Sequence, residues 1–276
     1  MKNILVASDF SISAAHAMAA AISLAKALRM EITVIHALHR TEGINNNMYN
    51  AIFIEDYYAK KRTALKEWAN DIAQAQNYND TEIKTICDVG SLKDVVTKYA
   101  EYNSVSFLVM GITGSTGIKG IVGSNASMAV SKMRIPTLIV PLESKLPDVP
   151  VVTLATDYKT SKFSVRDIKA LNQILKGSNP KKLEVLHISE KDMGPKEIEQ
   201  GERKLKELIP SVELNFNYID EEVKASIGII NFIEGNKTDI LCLVKRNHNI
   251  IYQLFATSTV NEVLNKSVKA ILVLHE

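Results

Sequence analysis

The chain has little of what marks a disulfide-built, metal-built or membrane-spanning protein. Only two cysteines occur in 276 residues, Cys87 and Cys242. They fall in separate apolar runs, so they read as buried fillers rather than as a disulfide or a metal pair. No Cys–His cluster has the spacing of a zinc site. No apolar run reaches membrane-spanning length, and the opening MKNILVASDFS lacks the apolar core of a leader. The expectation is a reducing, cytoplasmic setting. Charge is balanced as well, with 33 Lys and Arg against 31 Asp and Glu and no long block of one sign. That excludes an electrostatic case for a nucleic-acid or membrane partner.

Catalytic signatures are also scarce. No G-x-S-x-G elbow is present, and Ser8, Asp9 and Ser124 form no recognisable nucleophile–base pair. His36 ends an apolar strand and His16 lies in an apolar helix, so both read as core or crevice histidines.

What is present is a globular composition, 46% apolar and 23% charged, with length for one large domain or two ordinary ones. Its most informative stretch is Met110–Asn125, MGITGSTGIKGIVGSN. Gly111, Gly114, Gly117, Gly120 and Gly123 recur at three-residue intervals. They follow the apolar run Val105–Met110 and precede a helix-like segment that opens at Ser124. A strand, a glycine-rich loop and a helix start together suit a phosphate. Glycine lets backbone N–H groups turn toward an anion, and the helix end adds partial positive charge. A P-loop is excluded because Lys119 is followed by Gly120, and G-x-G-x-x-G does not occur in the loop. The polar, Asn-rich loop Thr41–Tyr49 reads as a surface loop.

The chain repeats itself. Each half opens with a short apolar strand, a small residue and an aspartate: KNILVASDFS with Asp9, and PVVTLATDYK with Asp157. Each continues to a second strand ending in histidine, His36 and His187, and closes on a last strand, IPTLIVP and KAILVLHE. The joint is Leu142–Pro150. Strands are expected near 3–7, 31–38, 82–87, 105–110 and 137–140, and again near 150–155, 182–188, 212–219, 239–244 and 270–274. They are apolar on both faces, as in a parallel sheet covered by helices. Helices are expected near 12–29, 50–76, 91–103 and 124–133, with Ser11 and Ser91 as caps. Alternating strands and helices imply a doubly wound α/β fold.

This pattern resembles the universal stress protein family in its tandem form. The carriers are the strand–Asp openings, the second-strand histidines, the glycine loop and the serine after it. The resemblance implies two Rossmann-like domains, residues 1–143 and 148–276, each with a parallel five-stranded sheet of order 3-2-1-4-5. It also implies ATP or ADP, with Mg, at the carboxyl ends of the strands. Residue by residue, Ala7, Ser8 and Asp9 match the turn at the adenine and ribose end. Ala37 matches a position beside the base. Met110 and Gly111 match the end of the fourth strand, and Gly114, Gly123, Ser124 and Asn125 match the phosphate loop and helix start. The loop departs from the family's spacing, since eight residues instead of nine separate Gly114 from Gly123.

In the second half the motif glycines become Val244, Asn247 and Thr257, while Ser258 remains. That half reads as a copy without nucleotide. The basic Lys245–His248 reads as a solvated loop. Nothing positions a water for attack on a γ-phosphate, so at most weak ATPase activity is expected. Other expected partners are the other half of the chain through the terminal strands, a homodimer or a client protein. The competing reading is an interaction scaffold that needs no nucleotide. An ATP pyrophosphatase-like enzyme ranks low, because the turn ASDFS lacks glycines.

Overall fold

The structure is a computed structural model. It describes residues 3–39, 51–78, 83–112, 129, 133–156, 158, 164–176, 182–188, 194–219, 225–245 and 269–275. The central glycine loop, the Asn-rich loop, Asp157, Asn247, His248, Thr257 and Ser258 lie outside these residues.

The first half runs β1 (Asn3–Ala7), α1 (Ile12–Leu28), β2 (Glu31–Leu38), α2 (Ala51–Ala75), β3 (Lys84–Val89), α3 (Leu92–Tyr102), β4 (Val105–Ile112) and β5 (Thr137–Pro141). The second runs β6 (Val152–Thr156), α4 (Val165–Lys176), β7 (Lys182–Ile188), α5 (Pro195–Leu208), β8 (Glu213–Ile219), α6 (Ala225–Gly235), β9 (Ile240–Lys245) and β10 (Ala270–His275). Of the helix expected near 124–133, Ala129 and Met133 are described: Ala129 is helical, and Met133 donates its N–H to Ala129 O at 3.0 Å.

The helices begin where their sequences signal it. Ser11 caps α1 by accepting the Ala14 N–H, and Ser91 caps α3 by accepting the Asp94 N–H. Pro195 opens α5, where its missing N–H costs nothing, and the Glu197 carboxylate accepts the Gly194 N–H. Arg29 ends α1 in the left-handed conformation and donates its N–H to Ala25 O. The strand β3 begins two residues later than expected. Lys84 through Val89 find ladder partners on β2, from Thr33 to Leu38.

All ten strands form one sheet, ordered β3-β2-β1-β4-β5-β10-β9-β6-β7-β8. Each half keeps the order 3-2-1-4-5, with parallel neighbours throughout. Among the described residues the one antiparallel ladder joins β5 to β10, with Leu138 opposite Leu272. Fully buried residues of α1, α2, α4 and α5 share one apolar layer with Ile4, Val6, Leu138 and Leu272. Those of α3 and α6 share the other with Leu5, Leu108 and Leu241. The sheet is therefore covered on both faces, as its apolar strands require. The Asn3 amide nitrogen and the Thr153 hydroxyl find partners within the layers. Asn3 Nδ2 donates to Thr33 Oγ1 at 2.7 Å and to Tyr99 Oη at 2.8 Å, and Thr153 meets Thr238 at 2.9 Å.

Leu138 and Leu272 lie opposite each other and are fully buried. Leu138→Ala should destabilise the chain by about 2–5 kcal/mol in urea unfolding. Val165→Ala, at a position 71% exposed, should change stability by less than about 0.5 kcal/mol. Equal effects would contradict the shared core across the β5–β10 ladder.

Candidate functional site

A parallel doubly wound sheet offers its crevice where successive connections diverge to opposite faces. In the first half β1 and β4 are neighbours, with Val6 opposite Val109. The turn after β1 and the end of β4 therefore leave the sheet side by side. Ala7, Ser8, Asp9, Met110 and Gly111 come together there. Ala37 lies at the adjacent end of β2, two residues beyond Ile35, the partner of Ala7. Gly114, Gly123, Ser124 and Asn125 lie outside the described residues.

The turn is tightly held. Ser8 donates its N–H to Ile35 O at 2.9 Å, and its hydroxyl accepts the Phe10 N–H at 3.1 Å. His36 Nδ1 lies 2.7 Å from Ser8 O. A carbonyl can only accept, so Nδ1 carries the hydrogen. Asp9 is exposed, and one carboxylate oxygen accepts the Ser11 N–H at 3.0 Å. The helix cap is therefore Ser11, and Asp9 braces the cap from outside.

Gly111 has a steric role that its sequence position does not announce. A Cβ there would stand 2.1 Å from Ser13 O and 3.0 Å from Ala14 N. The first turn of α1 rests directly on the strand in the space a side chain would fill. This brings the N–H groups of a 17-residue helix, and their partial positive charge, to the crevice.

Phe10 adopts a left-handed backbone, φ 64°, which costs a non-glycine residue roughly 1–2 kcal/mol. Its ring packs edge-on to His36 at 4.6 Å and toward Trp68 of α2 at 6.1 Å, with Lys61 Nζ 5.4 Å from its centre. The second half repeats this device. Tyr158 has φ 59°, donates its N–H to Thr156 Oγ1 at 3.1 Å, and stacks on His187 at 4.1 Å. Gly201 of α5 admits it, since a Cβ there would meet Tyr158 Cβ at 2.5 Å. Sequence reasoning passed over Phe10 and Tyr158. The available signal was an aromatic residue directly after each strand-end aspartate.

The second crevice is built differently. Val244 stands where Gly111 does, and α4 starts at Val165, eight residues after Asp157, whereas α1 starts at Ile12, three residues after Asp9. Its cap, Ser164, donates its N–H to His275 O at 3.4 Å. Asp167 is buried and takes the His275 N–H at 2.9 Å and the Ser164 hydroxyl at 2.6 Å on one oxygen. The start of α4 is thus tied to the end of β10. Burial pushes the Asp167 carboxyl above the usual carboxylate range, against those two hydrogen bonds.

Other expected residues have structural surroundings. His16 is half-buried on α1, with Nε2 2.7 Å from Ser144 O in the joint. Cys242 is fully buried, and burial pushes its thiol up. Cys87 departs from the filler reading: it is half-buried and lines an open groove. No helix among the described residues is long and apolar enough to cross a membrane.

Gly111→Ala should destabilise the chain by about 1–3 kcal/mol or more, because backbone cannot move aside as a side chain can. Gly235→Ala, where a Cβ would meet nothing within 4 Å, should be neutral within about 0.5 kcal/mol. Similar unfolding midpoints for the two would refute the close approach of α1.

Asp167 also makes a signed pH prediction. A carboxyl with a raised folded-state pKa binds its proton more tightly in the folded chain. It contributes stability at low pH, and this is lost as pH rises from the unfolded value near 3.9 through the folded one. Asp167→Asn should remove that dependence. The stability of the native chain relative to the variant should fall with pH from about 4 upward. A pH-independent difference in urea unfolding would show that the carboxylate is not buried at a cost.

The universal stress protein family model matches residues 1–141. The universal stress protein YxiE of Bacillus subtilis is 26% identical over 143 residues, which is 49% of this chain and 96% of that protein. A universal stress protein from Archaeoglobus fulgidus superimposes with a TM-score of 0.71 at 18% identity, covering 99% of this chain and 98% of its own. A functionally unknown protein from Pseudomonas aeruginosa does so at 0.57 and 13%, covering 99% and 92%. At such identities the two solved structures speak for the fold alone. The family match takes in just over half of the sequence, including the strand–Asp turn, the second-strand histidine and the whole glycine loop. The chain belongs to the universal stress protein family.

Proposed function

We propose that this chain is a nucleotide-responsive binding protein that holds ATP or ADP, with magnesium, in its first half, residues 1–143. The second half, residues 148–276, is a domain of the same fold that carries no nucleotide. The observation that carries the reading is the meeting of the Asp9 turn, Ala37 and Gly111 at the N-terminus of α1. These residues fit a nucleotide in three ways. Asp9 presents an exposed carboxylate suited to ribose hydroxyls. Ala7 and Ala37 bring no bulk beside a planar base. The helix start favours a polyanion. Gly114, Gly123, Ser124 and Asn125 are the residues that would receive the phosphates, and magnesium would neutralise part of their charge.

A second reading rests on the other crevice. Val244 puts a side chain at the position of Gly111, and the start of α4 is tied to the end of β10 through Ser164 and Asp167. A family member whose two halves had both lost the ligand would serve as an interaction scaffold for a client protein or a second copy of itself.

Calorimetric titration of nucleotide-stripped protein with ATP and magnesium separates the two. One site per chain is expected, weakened roughly tenfold or more in Asp9→Ala, since a hydrogen bond to a charged group contributes about 1.5–3 kcal/mol. Two sites per chain would mean that Val244 does not close the second crevice. No heat at either half would leave the scaffold reading.

A further inference from the structure

A second concave site lies at the outer edge of the first half, away from the β1–β4 crevice. A cavity of about 280 Å³ opens between α2 and β3, lined by Arg62, Thr63, Lys66, Thr85 and Cys87. The elements explain its position. Leu65 and Ala69 are fully buried and seat α2 on the sheet. Arg62 and Lys66, four residues apart, share a neighbouring stripe of the helix. Thr85 and Cys87, two residues apart, share one face of β3. Among the described residues β3 is the outermost strand of the sheet.

The chemistry of the lining is one-sided. Each of the five side chains can donate a hydrogen bond, and none is a carboxylate. Arg62 also pairs with Glu55, but the two are 49% and 70% exposed, and such a pair contributes little. Its guanidinium can therefore turn to a better acceptor at small cost. A guanidinium fork and an ammonium on one stripe match a dianionic oxyanion, with hydroxyls to complete its shell. The volume is close to the lower limit of small-molecule pockets, roughly 300 Å³, and would hold about nine waters. That is more room than one oxyanion fills.

We propose that this groove binds a small phosphorylated metabolite, its phosphate held by Arg62 and Lys66 with Thr63 and Thr85. The site is separate from the nucleotide crevice and does not rest on the nucleotide reading. Cys87 supplies a local reporter. Its thiol lines the groove, whereas Cys242, the other cysteine, is fully buried in β9.

The test is the rate of Cys87 alkylation by iodoacetamide in the full chain, with pyrophosphate titrated at constant ionic strength. Mass spectrometry identifies the labelled cysteine. Pyrophosphate should slow labelling several-fold and saturably. The double variant Arg62→Gln/Lys66→Gln should need at least roughly tenfold more pyrophosphate, and Arg62→Lys, which keeps the charge without the fork, should fall between. Gly114→Val, at a residue proposed to receive the nucleotide's phosphates, should leave the protection unchanged. Slowing no greater than with matched sodium chloride would overturn the proposal, as would protection that survives in the double variant. Protection lost in Gly114→Val would also overturn it, by tracing the effect to the nucleotide crevice. Failure of ATP to bind in the calorimetric titration leaves this result untouched.

Discussion

The absence of a side chain at residue 111 lets the start of α1 lie against β4, and the first half is organised around that contact. Ser13 O occupies the space of the missing Cβ. Through this approach α1 touches β1, β2, β4, β5, α2 and α4. One helix thus sets the turn that carries Asp9, the end of the fourth strand and the packing against the second half. An apolar helix suits so many neighbours, and nine residues of α1 from Ser13 to Ala25 are buried. In the second half the same strand position carries Val244. The first helix is anchored elsewhere, through Ser164 and Asp167 to His275. The divergence between the halves is concentrated where a ligand would approach, while the layers behind it remain alike.

What the halves share is as instructive. Phe10 and Tyr158 both accept a left-handed backbone just after the strand-end aspartate. In each case a hydroxyl two residues earlier accepts the N–H, and the ring meets the second-strand histidine. The backbone strain is offset by packing beneath the crossover helix, against Trp68 in one half and against Gly201 in the other. The device persists where the glycine is gone, so it serves the turn itself. Any ligand in the first crevice meets a turn already held in place.

The antiparallel ladder between β5 and β10 has a geometric consequence. Strands of the first half run opposite to those of the second, so their carboxyl ends emerge at opposite rims of the sheet. The two crevices cannot share a ligand. The two halves also meet where α1 packs on α4 and where Arg166 donates to Arg134 O at 3.2 Å. The edge strands β3 and β8 lie at the two extremes of the sheet, and the groove between α2 and β3 sits at one of them.

Much of the fold was legible because it rests on local pattern. Continuous apolar runs marked buried strands, serines at the right offset marked the starts of α1 and α3, and the twice-written strand–Asp opening marked a repeated doubly wound unit. The gathering of Asp9 and Gly111 followed from strand order. The misread features depend on groups distant in sequence. Pattern alone puts the start of β3 two residues early, because pairing with β2 selects among several apolar positions. Cys87 reads as a core filler in sequence, because an apolar run does not reveal that its strand is an edge. Phe10 was passed over, because a left-handed aromatic is stable only with His36 and Trp68 around it. By itself the sequence determined the secondary elements, their order and the family, since each is written in residues close along the chain. The tertiary structure alone decided that Gly111 yields its space to Ser13, that α4 leans on His275, and that Arg62, Lys66 and Cys87 face one groove. Those are contacts between segments that only packing brings together.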